Sequence, residues 1–181
     1  MRLHRLIAVA VALSLCGSLF AQTGSSDLVK SVRAAYAAAK EKIKQNNGED
    51  GAPRNDVTAT LHCMVPATGP RTEVFHCYFE LDTDEDGAHY LPYFITRKYN
   101  VAARNFYEEY LFDPVPGRLL FAFIQSDTFD GGKNEERYYY DDCGKLAAAN
   151  IKGERTIEDM NLVINAESFR TLIPQYLDFS Y

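Results

Sequence analysis

The sequence predicts an α+β protein in which an N-terminal amphipathic helix packs on a meandering antiparallel sheet of six to seven strands, followed by a short C-terminal helix. Apolar residues recur at helical spacing near residue 30 and again near residue 170. Between these stretches the apolar residues alternate with a period of two, in segments separated by short turns, which is typical of antiparallel strands. Cystatin-like and half-barrel arrangements both fit this order of elements.

The chain begins with a segment typical of secretory signal peptides. Two arginines precede an apolar run at residues 6–15, and small and polar residues follow. This run is too short to cross a hydrocarbon core of roughly 30 Å. We therefore expect residues 1–21 to be a signal peptide and residues 22–181 to form a single α+β domain that is periplasmic or secreted. An outer-membrane lipoprotein acylated at Cys16 is the alternative, which Leu15 disfavours because a small residue normally precedes a lipidated cysteine.

The charge of the chain argues against nucleic acid as a partner. The formal net charge is −6, and cleavage after residue 21 removes two arginines and no acidic residue, so it becomes −8. An acidic chain without a basic cluster is repelled by nucleic acid and by anionic lipid. We expect no stable membrane insertion after signal cleavage.

The first predicted helix covers residues 26–45, where Ser26 or Asp27 can cap its start and Gly48 follows its end. One face carries an apolar stripe of Leu28, Val32, Ala35, Tyr36, Ala39 and Ile43. The opposite face carries Lys30, Arg33, Lys40 and Lys44. These cations predict either a solvated outer face or a basic stripe that binds a partner.

The first two strands are predicted in "VTATLHCMV" and "EVFHCYFEL", which we expect to form a hairpin that turns around "ATGPR". That register would place His62 opposite His76, and Cys63 opposite Phe75, because both apolar sets must share one face. Cys77 would lie diagonal to Cys63, at a spacing that is marginal for a disulfide. Both a disulfide and two small buried thiols fit this arrangement.

Further strands follow from local patterns. "YLPYFITRKY" alternates, and its Pro92 predicts an edge strand or a strand start, since proline lacks an amide donor. "EEYLFDPVPGRLLF" and "ERYYYDDCGKLAAA" share one plan and predict two hairpins. Their strands are expected near residues 106–112, 118–125, 136–140 and 145–151. The apolar run at residues 119–124 predicts a central strand that is covered on both faces.

The last predicted element is a short helix in "NAESFRTLIPQYL". Asn165 is its expected cap, and Pro174 weakens its interior.

The turn "DDCG" places Cys143 third in a type I turn between Asp141 and Gly144. A nucleophilic cysteine needs a cation, a helix N-terminus or a paired histidine nearby. The sequence neighbours of Cys143 are two carboxylates, so we expect a thiol without a catalytic role.

The segment "DTDEDGAHYLPY" contains the candidate metal ligands of the chain. Asp82, Asp84, Asp86 and Gly87 match the first half of an EF-hand calcium loop, but Tyr93 stands where the bidentate glutamate belongs. The pattern predicts either a weak calcium site or an acidic, solvated turn between two strands. No other cofactor is expected.

Recognised catalytic motifs are missing: the sequence has no GxSxG, HExxH, CxxC or glycine-rich phosphate loop. Glu108 and Glu109 are adjacent, so in a strand their carboxylates would point to opposite faces. We expect a non-enzymatic exported binding or interaction module that recognises an envelope protein or peptide through its tyrosine-rich strands. The alternatives are a small hydrolase with acid and base groups from distant strands, and a carrier of a small apolar ligand between helix and sheet.

The stretch "PYFITRKYNVAARNFYEEYLFD", followed by "LLFAFIQSD" and "ERYYYDD", resembles a family of small signal-peptide-bearing secreted proteins of Gram-negative anaerobes that has no assigned activity. The resemblance covers most of the chain after the signal peptide. It implies secretion across the inner membrane, and it implies no site residues.

Overall fold

One antiparallel sheet carries a helix on each of its faces, as the computed structural model of the chain describes it for residues 26–45, 55–85 and 87–177. Helix α1 covers residues 26–45, and helix α2 covers Asp159–Leu177. The strands are β1 (Asp56–Val65), β2 (Gly69–Asp84), β3 (Gly87–Val101), β4 (Arg104–Phe112), β5 (Leu119–Asp127), β6 (Lys133–Tyr140) and β7 (Leu146–Lys152). They lie in sequence order from β1 to β7, so the predicted meander is confirmed with seven strands.

Alternating side chains of the central strands supply two separate cores, because successive strand residues point to opposite faces. On one face, α1 packs on a core that contains Val32, Ala39, Phe94, Leu111, Phe121 and Tyr139. On the other face, α2 packs on a core that contains Ile95, Tyr110, Ala122, Tyr138, Leu162 and Ala166. The prediction that residues 119–124 form a strand covered on both faces is therefore confirmed.

The turn of the first hairpin lies two residues earlier than the sequence predicts. Strand β1 ends at Val65, β2 begins at Gly69, and the amide of Thr68 donates to the carbonyl of Val65 at 3.3 Å. Ala67 adopts a left-handed φ of 66°, so the turn closes on a residue without the freedom of glycine. The sequence favours a turn centred on Gly69, which instead opens β2.

This shift changes every predicted cross-strand pair of the hairpin. The observed pairs include His62 with Thr72, Cys63 with Arg71, Thr58 with His76, and Val57 with Cys77. Cys63 is exposed, whereas Cys77 is buried, and no disulfide joins them. Burial raises the pKa of the Cys77 thiol to about 12, so this cysteine behaves as a small core residue.

Pro92 lies inside the sheet and inside its strand, which makes the prediction of an edge strand or a strand start wrong. It is buried in β3, the third strand of seven. The register between β2 and β3 shifts between Tyr78 and Phe79, and Pro92 is the partner of Phe79. Because a bulge interrupts the ladder at this point, the missing amide donor of proline is tolerated.

Helix α2 starts earlier than predicted. It begins at Asp159, so Asn165 lies within the helix and the prediction that it caps the start is wrong. The amide of Leu162 donates to the carbonyl of Glu158 at 3.1 Å, which closes the first turn. Apolar spacing around Leu162 and Ala166 extends the helix past the cap signal. Within the described ranges, neither helix is both long and apolar enough to span a membrane.

Candidate binding site

Tyrosines of the sheet and of α1 line the interior of the protein. The chain has twelve tyrosines, and each of the ten from Tyr36 to Tyr140 is buried or half-buried. Several donate their hydroxyl groups to buried glutamates, as buried tyrosines usually require. The tyrosine-rich strands thus serve the core, and a partner site has to be sought elsewhere.

Glu109 anchors α1 to the sheet. The residue is 4% exposed, and its carboxylate accepts hydrogen bonds from Tyr36 of α1 and Tyr107 of β4, each at 2.6 Å. Lys40 of α1 lies 3.3 Å from the same carboxylate, and its ammonium group also lies 5.1 Å from the ring centroid of Phe94. Burial, reinforced by the bond to Glu109, raises the pKa of both tyrosines above the usual range. Lys40 therefore contacts the sheet and does not lie on the opposite face of the helix as predicted, although 44% of its side chain stays exposed.

Glu108 belongs to a cluster on the opposite face of the sheet. Its carboxylate, 1% exposed, accepts hydrogen bonds from Tyr99 and Tyr110 at 2.8 Å and from Arg97 at 3.3 Å. Arg97 also pairs with Glu73 at 2.5 Å. The prediction that Glu108 and Glu109 diverge is confirmed, so the two carboxylates do not act on one substrate.

Glu136 holds the connection between β7 and α2. It is fully buried and accepts hydrogen bonds from the hydroxyl of Tyr138 and from the amide of Thr156, the latter at 2.7 Å. The hydroxyl of Thr156 donates to the same carboxylate. This glutamate therefore satisfies a backbone amide of the loop that leads to α2.

A cleft separates the first half of α1 from strands β5 and β6, and we name it the helix–sheet cleft. Its volume is about 360 Å³, and its lining consists of Val32, Arg33, Tyr36, Phe121, Phe123, Arg137 and Tyr139. The aromatic rings form most of the wall, while the two arginines supply the only charged side chains of that lining. An aromatic wall with a few placed polar groups is the usual composition of a small-molecule site.

A wider, open groove of about 660 Å³ lies on the same face at the other end of the sheet. Its amide side chains serve the protein itself. Asn100 accepts from the amide of Thr72 at 2.9 Å, and Asn105 donates to Asp127 at 2.8 Å. These side chains are occupied by structural bonds, so the groove has less to offer a ligand than its size suggests.

Strand β1 is an edge of the sheet and is exposed along most of its length. Residues 58–64 are all exposed, with Leu61 at 57% and Met64 at 74%. No described strand pairs with the outer edge of β1. Its sequence, DVTATLHCMV, contains no lysine, arginine or proline, the residues that normally protect an edge from pairing.

The polar group nearest to an acid–base pair is formed by Asp56, His76 and Tyr78. Asp56 lies 2.6 Å from one ring nitrogen of His76, and the Tyr78 hydroxyl lies 3.1 Å from the other. Both ring nitrogens are therefore engaged within the protein. This arrangement leaves the imidazole without a nitrogen for a substrate and gives the hydrolase alternative little support.

The predicted calcium ligands lie in a strand hairpin. Asp82 is opposite His89 and Asp84 is opposite Gly87, while Asp86 falls outside the described residues. Asp84 accepts from His89 at 2.8 Å. Within the described ranges no group of three acidic, histidine or cysteine side chains is placed to hold a metal ion. A calcium site that includes Asp86 stays a prediction.

Cys143 lies where the sequence predicts it. The amide of Gly144 donates to the carbonyl of Asp141 at 2.9 Å, and the amide of Cys143 donates to the Asp141 carboxylate at 2.8 Å. Gly144 has a positive φ of 72°. The thiol is exposed at the tip of this turn.

Of the residues that form the helix–sheet cleft, the sequence indicated only Arg33 as a binding residue, because it belongs to the row of cations that could contact a partner. Nothing in the local pattern connects it with Arg137, which lies more than a hundred residues away in β6.

Comparisons with protein families, curated proteins and solved structures find no match for the chain.

Proposed function

We propose that the protein is a non-enzymatic interaction module of the cell envelope that binds an extended segment of a partner protein along β1. The observation that carries the proposal is the exposed, unprotected edge of this strand. An extended segment that adds to a sheet edge gains a row of main-chain hydrogen bonds. Leu61 and Met64, which point to opposite faces of β1, would contact apolar side chains of that segment.

The distribution of polar groups supports binding over catalysis. The tyrosines and the arginine whose pKa values are strongly raised all belong to structural clusters around Glu108 and Glu109 or to the core. A catalytic site would need such groups to converge on an accessible cavity. Secretion remains part of the proposal, and N-terminal sequencing of the protein recovered from its source cells would test cleavage after residue 21.

Selection of peptides from a random library displayed on phage would test the proposed surface. A selected peptide should protect β1 amides from hydrogen exchange. It should bind the double variant Leu61→Lys/Met64→Lys at least roughly tenfold more weakly, because edge lysines block strand pairing. The matched control is Val115→Lys/Phe129→Lys, which changes two apolar residues elsewhere that are at least as exposed. Peptides that protect a different surface, or that bind both double variants equally, would contradict the proposal.

A further inference from the structure

The helix–sheet cleft combines an aromatic lining with two arginines, and we propose that it binds a small organic anion, a carboxylate attached to a flat or short apolar body. This site is separate from the β1 edge and independent of the function proposed above. Its volume of about 360 Å³ lies within the range of roughly 300–1,000 Å³ that is usual for small-molecule pockets.

The two arginines approach the cleft from different elements. Arg33 projects from α1, and no hydrogen bond or ion pair joins it to another described residue. Arg137 projects from β6, with its guanidinium carbon 5.0 Å from the ring centroid of Phe123 and one nitrogen 3.1 Å from Glu135. Two cations therefore stand against one neighbouring carboxylate, which leaves an excess positive charge at the cleft.

The second carboxylate near the cleft does not cancel this excess. Glu109 is held by Lys40 at 3.3 Å and by two tyrosine hydroxyls, so its charge is already compensated. The hydroxyl of Tyr36 is committed to Glu109, and Tyr36 presents its ring to the cleft. Burial and the bond to Glu109 raise the pKa of the Tyr36 hydroxyl, and the charge of Arg137 opposes that rise.

The aromatic part of the cleft is rigid. The ring centroids of Tyr36 and Phe121 are 5.4 Å apart, and those of Phe121 and Tyr139 are 5.1 Å apart. These rings belong to the core between α1 and the sheet, so their positions are fixed by packing. A flat apolar body can lie against this wall while its carboxylate meets a guanidinium.

The charge and geometry favour a carboxylate over a neutral apolar ligand. A planar guanidinium binds a carboxylate through two parallel hydrogen bonds, which a neutral ligand cannot match. A purely apolar ligand in the cleft would leave Arg33 without an anionic partner and would displace water from both guanidinium groups, at a cost in desolvation. The carrier interpretation of the sequence therefore changes from an apolar ligand to an amphipathic anion.

Isothermal titration with indole-3-acetate as the probe, and neutral indole-3-acetamide as its uncharged counterpart, would test the proposal on the full folded protein. We expect saturable binding of the acetate and binding of the amide that is at least roughly tenfold weaker. Arg33→Gln and Arg137→Gln should each weaken acetate binding about tenfold and reduce the preference for the charged probe. Lys44→Gln removes one exposed charge from the same helix and should leave both affinities unchanged.

Arg33 is exposed, so its variant is expected to fold even if the variant of Arg137 does not. Equal affinity for acid and amide, wild-type affinity in Arg33→Gln, or no saturable acetate binding up to about 10 mM would each overturn the proposal. The double variant Leu61→Lys/Met64→Lys should bind the acetate normally. Failure of the partner surface and failure of the anion site are thereby distinguished.

Discussion

Glu108 and Glu109 are consecutive residues of β4, yet their carboxylates lie on opposite faces of the sheet and stabilise different parts of the molecule. Each is almost fully buried, and each accepts two tyrosine hydroxyls and pairs with one cation. The partners of Glu108 all lie in the sheet, in β3 and in β4 itself, whereas Tyr36 and Lys40, which bind Glu109, come from α1. The same combination of residue types, a glutamate with two tyrosines and one cation, stabilises the sheet on one face and attaches a helix on the other.

The two faces of the sheet also differ in how completely the helices cover them. On the Glu108 side, Phe169 of α2 lies 5.8 Å from Tyr110 and 4.9 Å from the guanidinium of Arg97, so the cluster is covered. On the Glu109 side, α1 stands over the sheet with the helix–sheet cleft beside it. Helix α1 is held by its apolar contacts with the sheet and by the bonds to Glu109, and it borders the cleft without closing it.

The largest expected effect is that of Glu108→Gln on stability. The substitution removes a buried charge that Arg97 faces, and breaking such a pair on one side typically costs about 3 kcal/mol. Urea denaturation should show this loss in the free energy of unfolding. The conservative Tyr99→Phe variant keeps the charge and should lose less. A loss below about 1 kcal/mol in Glu108→Gln would mean that the cluster does not brace the sheet.

Glu109→Gln should lose less stability, about 1.5 kcal/mol, since Lys40 is 44% exposed and its ion pair is screened by solvent. The loss should be local. Hydrogen exchange is expected to accelerate in α1 while the amides of β4 and β5 keep their protection. Unchanged exchange in α1 would contradict the role assigned to Glu109.

Alkaline titration should show that the tyrosines of these clusters are shielded from solvent. Burial, together with the neighbouring glutamates, raises the pKa of Tyr36, Tyr99, Tyr107 and Tyr110. A raised pKa in the folded state contributes stability that is present below the unfolded value, about 10, and is lost as pH rises through the folded value. Ultraviolet absorbance at high pH should therefore show these tyrosines ionising only as the chain unfolds. Smooth ionisation near pH 10 with the fold intact would contradict this.

The smallest effect concerns Glu73 at the rim of the Glu108 cluster. Burial alone would raise its pKa, but the hydrogen bond and charge of Arg97, with help from Arg71, outweigh burial and hold the pKa below its usual value. Such a carboxylate contributes stability above its unfolded pKa, about 4.3, and this contribution disappears as pH falls through the lower folded value. Glu73→Gln should thus flatten the acid side of a plot of melting temperature against pH. An unchanged acid side would contradict the pairing.

The sequence predicted the fold where pattern and turn chemistry agree. Strands β4 to β7 were located within a few residues, because the strands alternate and because aspartate and glycine mark the two ends of the turns in the hairpins β4–β5 and β6–β7. The predicted register of the first hairpin was wrong because Ala67 adopts a left-handed φ, a conformation that the sequence suggests for Gly69. The predicted position of Pro92 was wrong because a bulge removes the need for its amide, and a bulge depends on how two strands pair.

The candidate site was beyond the reach of local patterns. That Glu108 and Glu109 point apart follows from strand geometry alone. Their partners do not, since the pairing of Glu109 with Lys40 depends on where α1 lies on the sheet. Arg33 and Arg137 meet at one cleft only after seven strands have been placed in register.

The most direct test compares Glu108→Gln and Glu109→Gln in one experiment, with indole-3-acetate affinity and the free energy of unfolding measured for both. If α1 is held by Glu109 and forms one wall of the anion site, Glu109→Gln should weaken probe binding roughly tenfold despite the smaller loss of stability. Glu108→Gln should keep wild-type affinity under conditions where it is folded. Equal weakening in both variants, or full affinity in Glu109→Gln, would contradict the division of the sheet into a bracing face and a binding face.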